Sequence, residues 1–101
     1  MEKPTITIQE ATYEMKAPTM KTWREVAKIA ESAEGESLTE LMEKRVKGIA
    51  VMYGIGEDAV ENMAVEDVIP AYKAAESYVI GKMFEKLEKI PKNAEKEQGK
   101  E

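Results

Sequence analysis

Apolar and polar residues alternate at the start of the chain and then recur at helical spacing. Thr5, Ile6, Thr7 and Ile8 alternate strictly, and after Gln9-Glu10-Ala11 the stretch Thr12 to Met15 puts Tyr13 and Met15 on one face. Two period-two runs joined by a few polar residues predict a β-hairpin. The connection lacks an Asn-Gly or Asp-Gly pair. An isolated hairpin is barely stable in water, so this one is expected to lie on helices or to add to another sheet.

Ala17-Pro18-Thr19 breaks the strand pattern. Thr19 or Thr22 then caps a helix, and Thr22 with Glu25 has the spacing of a capping box. Met20, Trp23, Val26, Ala27, Ile29 and Ala30 recur at helical spacing, and Gly35 supplies the stop. Ser37 and Glu40 form a second capping box. The helix they open has the stripe Leu38, Leu41, Met42, Val46, Ile49 and Tyr53, and Gly54 and Gly56 end it. Its outer face carries Glu40–Lys44 and Glu43–Lys47, pairs of favourable orientation. Glu57 to Asn62 reads as a short helical turn.

The longest element runs from about Val65 to Lys89, with the stripe Val68, Ile69, Tyr72, Ala75, Val79, Met83, Leu87 and Ile90. Pro70 falls near its start, where a missing N–H does least harm. At 1.5 Å per residue such a helix is roughly 36 Å long, so part of it is expected to project or to meet another subunit. Pro91 ends it, and the tail to Glu101 has a single apolar residue, Ala94. The predicted fold is α+β and mainly α: an N-terminal β-hairpin followed by three or four helices, the last one long. Residues 1–90 are expected to form one globular domain and 91–101 a polar, disordered tail.

Composition removes most chemistry. The 101 residues include no histidine and no cysteine. The commonest general base, the commonest metal ligand, thiolate zinc sites and cysteine nucleophiles are therefore excluded. Ser32, Ser37 and Ser77 have no histidine to activate them, and no Ser-x-x-Lys motif replaces it. A non-enzymatic protein without cofactor or metal is expected. The net charge of −5 argues against nucleic-acid binding, which needs a basic footprint. No apolar run approaches the twenty or so residues of a membrane span. The start, Met1-Glu2-Lys3-Pro4-Thr5, shows no apolar signal region, so the cytoplasm is expected.

The remaining candidates each have a plain structural alternative. Gly54-Ile55-Gly56 lacks the glycines and the preceding strand of a phosphate loop, and helix termination is the better reading. Glu57, Asp58, Glu61, Glu66 and Asp67 form an acidic middle with no lysine or arginine between Gly48 and Tyr72. Their spacing is not that of a calcium loop, and clustered carboxylates can also imitate nucleic acid. Trp23 reads as a core anchor before an interface hot spot. The six internal methionines read first as core filling. Met52, Met63, Ile80 and Phe84 nevertheless lie off the main stripes and are expected to form an exposed apolar patch.

The order of segments also carries a resemblance. Ile6-Thr7-Ile8, then Thr12-Tyr13-Glu14-Met15-Lys16-Ala17-Pro18, then Lys21-Thr22-Trp23-Arg24-Glu25-Val26-Ala27-Lys28, resembles the start of tail assembly chaperones of long-tailed bacteriophages, of the siphovirus and prophage type. The ending Leu87-Glu88-Lys89-Ile90-Pro91-Lys92-Asn93-Ala94-Glu95 is similar too. The resemblance implies a non-catalytic chaperone. Such proteins keep the tape measure protein soluble, help recruit tail tube subunits, act in the bacterial host cytoplasm and are absent from the mature virion. Many members also have a longer product made by ribosomal frameshifting, and an extension would attach after Pro91.

The residues fit such a role on their own terms, because chaperoning an amphipathic helix needs an adaptable apolar surface on a soluble body. The widened stripe Val79, Ile80, Met83, Phe84 and Leu87 is the expected protein-binding surface, for a client or for a second copy. The expected partners are the tape measure protein, the tail tube protein and a homo-oligomer paired through the hairpin edge, with no nucleic acid and no membrane. The alternatives are a structural head–tail or minor tail component and an acidic nucleic-acid mimic or inhibitor.

Overall fold

The computed structural model describes residues 3–31 and 37–88, with side chains to residue 86. The expected stop at Gly35, the domain boundary near residue 90 and the polar tail lie outside the described residues. Two strands, β1 (Thr5–Ile8) and β2 (Ala11–Glu14), precede four helices: α1 (Met20–Glu31), α2 (Leu38–Tyr53), α3 (Glu57–Val60) and α4 (Val65–Glu88). The chain is mainly helical, with the N-terminal hairpin and long last helix that the pattern predicts.

The strands pair antiparallel with Ile6 opposite Tyr13 and Ile8 opposite Ala11. Partners across a sheet share a face, so Ile6, Ile8 and Tyr13 turn toward the core. Met15 extends that face, and its N–H donates to the Pro4 carbonyl at 3.2 Å. On the outer face the Thr7 and Thr12 hydroxyls meet at 3.2 Å. The turn is tighter than Gln9-Glu10-Ala11. Ala11 belongs to β2, and Gln9 and Glu10 alone make the connection, with φ of 49° and 75°. Positive φ at both central residues is the type I′ pattern, and here neither is glycine or asparagine.

The N-terminus of α1 is capped by Thr19, not by Thr22 with Glu25. The Thr22 N–H donates to Thr19 Oγ1 at 3.2 Å, and the Thr19 N–H donates to Thr22 Oγ1 at 3.3 Å. Threonine thus takes the reciprocal role that glutamate plays in a standard capping box. At α2 the predicted box is present: the Glu40 N–H donates to Ser37 Oγ at 3.2 Å, and the Ser37 N–H donates to Glu40 Oε1 at 2.9 Å. Gly54 closes α2 at φ 68°, and the Ala50 carbonyl accepts from both Gly54 and Ile55. A Cβ at Gly54 would sit 2.5 Å from Cε of Lys16. The Lys16 side chain therefore lies over the negative end of α2, whose own last turn has no base.

Two boundary expectations need correction. Gly56 opens α3 instead of ending α2: its carbonyl accepts from Ala59 and Val60. Pro70 stands in the second turn of α4, so its missing N–H leaves the Glu66 carbonyl without the usual helical donor.

Helix α2 is central, packed against α1, α3 and α4. Its C-terminal half, Gly48 to Tyr53, is therefore covered on more than one side, and Gly48, Ile49, Ala50, Met52 and Tyr53 are all buried. This overturns the exposed placement of Met52. Met63, folded under α3 by the turn that follows it, is buried as well. One cluster joins the hairpin residues Ile6, Ile8 and Met15 to Val26, Ile49, Tyr53, Val60, Val68, Tyr72, Ala75, Tyr78 and Val79. Trp23 is half-buried and packs against it. Tyr78, absent from the predicted stripe, is part of the core.

Helices α2 and α4 approach closely at Gly48, where a Cβ would fall 2.6 Å from Cε1 of Tyr72. The Arg45 guanidinium covers the same ring, 4.5 Å from its centroid. Among the described residues no helix is long and apolar enough to cross a membrane.

Candidate protein-interaction surfaces

Helix α4 is longer than the core that it packs on. Its stripe Val68, Tyr72, Ala75 and Val79 is buried, and there coverage stops. Val79, expected at the binding surface, is 3% exposed and belongs to the core. The next apolar residues are open: Ile80 is 39% exposed, Met83 42% and Phe84 53%. These three stand at i, i+3 and i+4, so they adjoin on one face. Leu87 follows in α4, and its side chain lies outside the described residues.

Charges frame this tip without covering it. Lys82 Nζ donates to Glu85 Oε1 at 3.0 Å, and that bond raises the Lys82 pKa above the ordinary lysine value. Lys82 also stands 5.9 Å from the centroid of the Tyr78 ring.

A second apolar surface lies elsewhere, where the sequence reading placed only core and acidic residues. The N-terminal half of α2, α3 and the start of α4 enclose a groove of about 660 Å³. Val60, Met63 and Val68 form its floor, and Met42 and Val46 are its half-buried wall. Leu38, 74% exposed, and Val65, 72% exposed, stand at its edges. Glu43, Glu57 and Glu61 line the rim with Lys47. Helical periodicity put Leu38, Met42 and Val46 on the correct face of α2. It carried no signal that the neighbours of α2 leave this end of the stripe uncovered.

The acidic middle lies on the surface. Glu57, Asp58, Glu61, Glu66 and Asp67 are all exposed. Among the described residues no three carboxylates come together to hold a metal ion.

The buried tyrosines carry the other notable polar groups. Burial raises the pKa of Tyr53, and its hydroxyl has no hydrogen-bond partner among the described residues. Burial also raises Tyr72, and Glu76 adds to that effect while Arg45 opposes it. The arrangement exposes apolar area at the α4 tip and in the groove. Comparison with family models, curated proteins and solved structures finds no match to this chain.

Proposed function

We propose that the chain is a non-catalytic chaperone of phage tail assembly that binds the tape measure protein and keeps it soluble. The observation that carries this reading is the open tip of α4. Ile80, Met83 and Phe84 are exposed on a helix whose core contacts are already complete at Val79. Contiguous apolar area on a small domain marks a partner site. A tape measure protein is long and helical, with apolar faces that aggregate until tail tube subunits cover them. Many weak contacts of this kind along one client give high occupancy through multivalency. On this reading the protein works in the cytoplasm of the bacterial host, helps recruit tail tube protein and leaves before the virion matures.

Co-expression with the tape measure protein of the same genome tests the reading. The client is expected to become soluble and to co-purify with the chain. An insoluble client, or the chain found by mass spectrometry in purified virions, would overturn it. A second reading, an acidic mimic of nucleic acid, draws on the exposure of the five acids between Glu57 and Asp67. Competition with DNA for a basic protein, strongly weakened by salt, would favour it.

A further inference from the structure

The groove between α2, α3 and α4 has a different chemistry from the α4 tip. Its floor of Val60, Met63 and Val68 and its wall of Met42 and Val46 are apolar side chains. Small-molecule sites place a few polar groups deep in an apolar pocket. Here the charged groups stand on the rim and are exposed. The open edges at Leu38 and Val65 make the site a trough and not a closed cavity. A volume of about 660 Å³ accepts several large aliphatic side chains from one partner face.

The rim decides the sign of that partner. Glu43, Glu57 and Glu61 oppose a single base, Lys47. Asp58, Glu66 and Asp67 add further exposed negative charge on the adjoining turns. Anionic partners are repelled by this field and cationic ones are drawn in. We propose that the groove docks an amphipathic helix of another protein whose apolar stripe is flanked by lysine and arginine. The stripe fills the trough, and the flanking cations meet Glu43, Glu57 and Glu61. This is helix-in-groove recognition with an acidic rim. It is independent of the tip of α4 and stands whether or not the chaperone reading does.

The test uses the full chain and a fluorescein-labelled model peptide of about 18 residues, long enough to hold helix. The peptide has leucine at i, i+4, i+7 and i+11 and lysine at the flanking positions. A twin carries glutamate in place of lysine. Anisotropy titration is expected to show the lysine peptide binding at least tenfold tighter than the twin, and losing affinity as salt rises.

Three variants locate the binding. Leu38→Asp/Val65→Asp changes exposed residues in the first turns of α2 and α4, where an acid suits the helix dipole, so folding is retained. It is expected to weaken the lysine peptide at least tenfold. Glu57→Lys/Glu61→Lys is expected to invert the preference between the twins. Ile80→Asp/Phe84→Asp is expected to bind the peptide as the wild type does, which separates this site from the α4 tip. Equal binding of both twins, binding of neither, or wild-type affinity in Leu38→Asp/Val65→Asp would overturn the proposal. So would a wild-type multimer in sedimentation that Leu38→Asp/Val65→Asp converts to monomer, because the occupant would then be a second copy.

Discussion

Three residues meet where α2 crosses α4: Gly48, Tyr72 and Arg45. Glycine in a helix interior costs about 1 kcal/mol relative to alanine. Its presence here is explained by the Tyr72 ring, which occupies the space that a Cβ would take. Gly48→Ala is therefore expected to destabilise the protein despite the better helix former. The overpacking cost is about 1–3 kcal/mol. Urea denaturation measures it, and a gain in stability would show that the ring yields freely.

At the hairpin turn the opposite change is favourable. Gln9 and Glu10 hold positive φ with side chains that pay a steric cost there, about 1–2 kcal/mol per residue. Gln9→Asn/Glu10→Gly is expected to raise the melting temperature by a few degrees. An unchanged or lower value would contradict the turn geometry.

Tyr53 and Tyr72 predict behaviour in alkali. Burial raises the pKa of each above its unfolded value. Folding thus favours the neutral phenol. The resulting stability is complete below about pH 10 and is lost as pH rises through the folded-state values. The chain has no histidine or cysteine to add a transition at lower pH. Denaturation midpoints are expected to fall above pH 10, and less steeply in Tyr53→Phe. Because the Tyr53 hydroxyl is buried without a partner among the described residues, this variant should be neutral or up to about 1 kcal/mol more stable at pH 7.

At the scale of elements, the hairpin and the helices follow from periodicity. Alternation at Ile6, Ile8, Tyr13 and Met15 identifies the buried face of the hairpin, and Ser37 with Glu40 marks the start of α2. Turn and cap details were less legible because they depend on residues with no special preference. Gln9 and Glu10 are not turn formers, and Thr22 substitutes for an acid at the cap of α1. Gly56 could equally end one helix or begin the next. The length of a stripe is written in the sequence, but the length of its cover is not. The stripe of α2 is open at Leu38, and that of α4 is open from Ile80. In both cases the neighbouring element determines where burial ends. The widened stripe of α4 nevertheless pointed to the exposed trio Ile80, Met83 and Phe84, although it also enrolled the buried Val79.

At the scale of the whole molecule, α2 acts as the central element. Residues from α1, α3, α4 and the hairpin converge on its C-terminal half, which is why Met52 and Met63 are interior. The net charge of −5 favours solubility of the free chain. Among the described residues, apolar area is exposed at the tip of α4 and in the groove under the acidic rim. The groove was invisible to sequence reasoning because its lining comes from three elements, each of which reads as ordinary core or ordinary acidic surface.

The most direct test of the chaperone reading compares the wild-type chain with Ile80→Asp/Phe84→Asp, each co-expressed with the tape measure protein. The substituted residues lie outside the core cluster, so the helical circular dichroism spectrum is expected to be unchanged. Soluble client co-purifying with the wild type and lost with the variant is the predicted result. Equal client recovery with both chains would contradict the assignment of the α4 tip as the client surface, and unfolding of the variant would show those side chains to be structural.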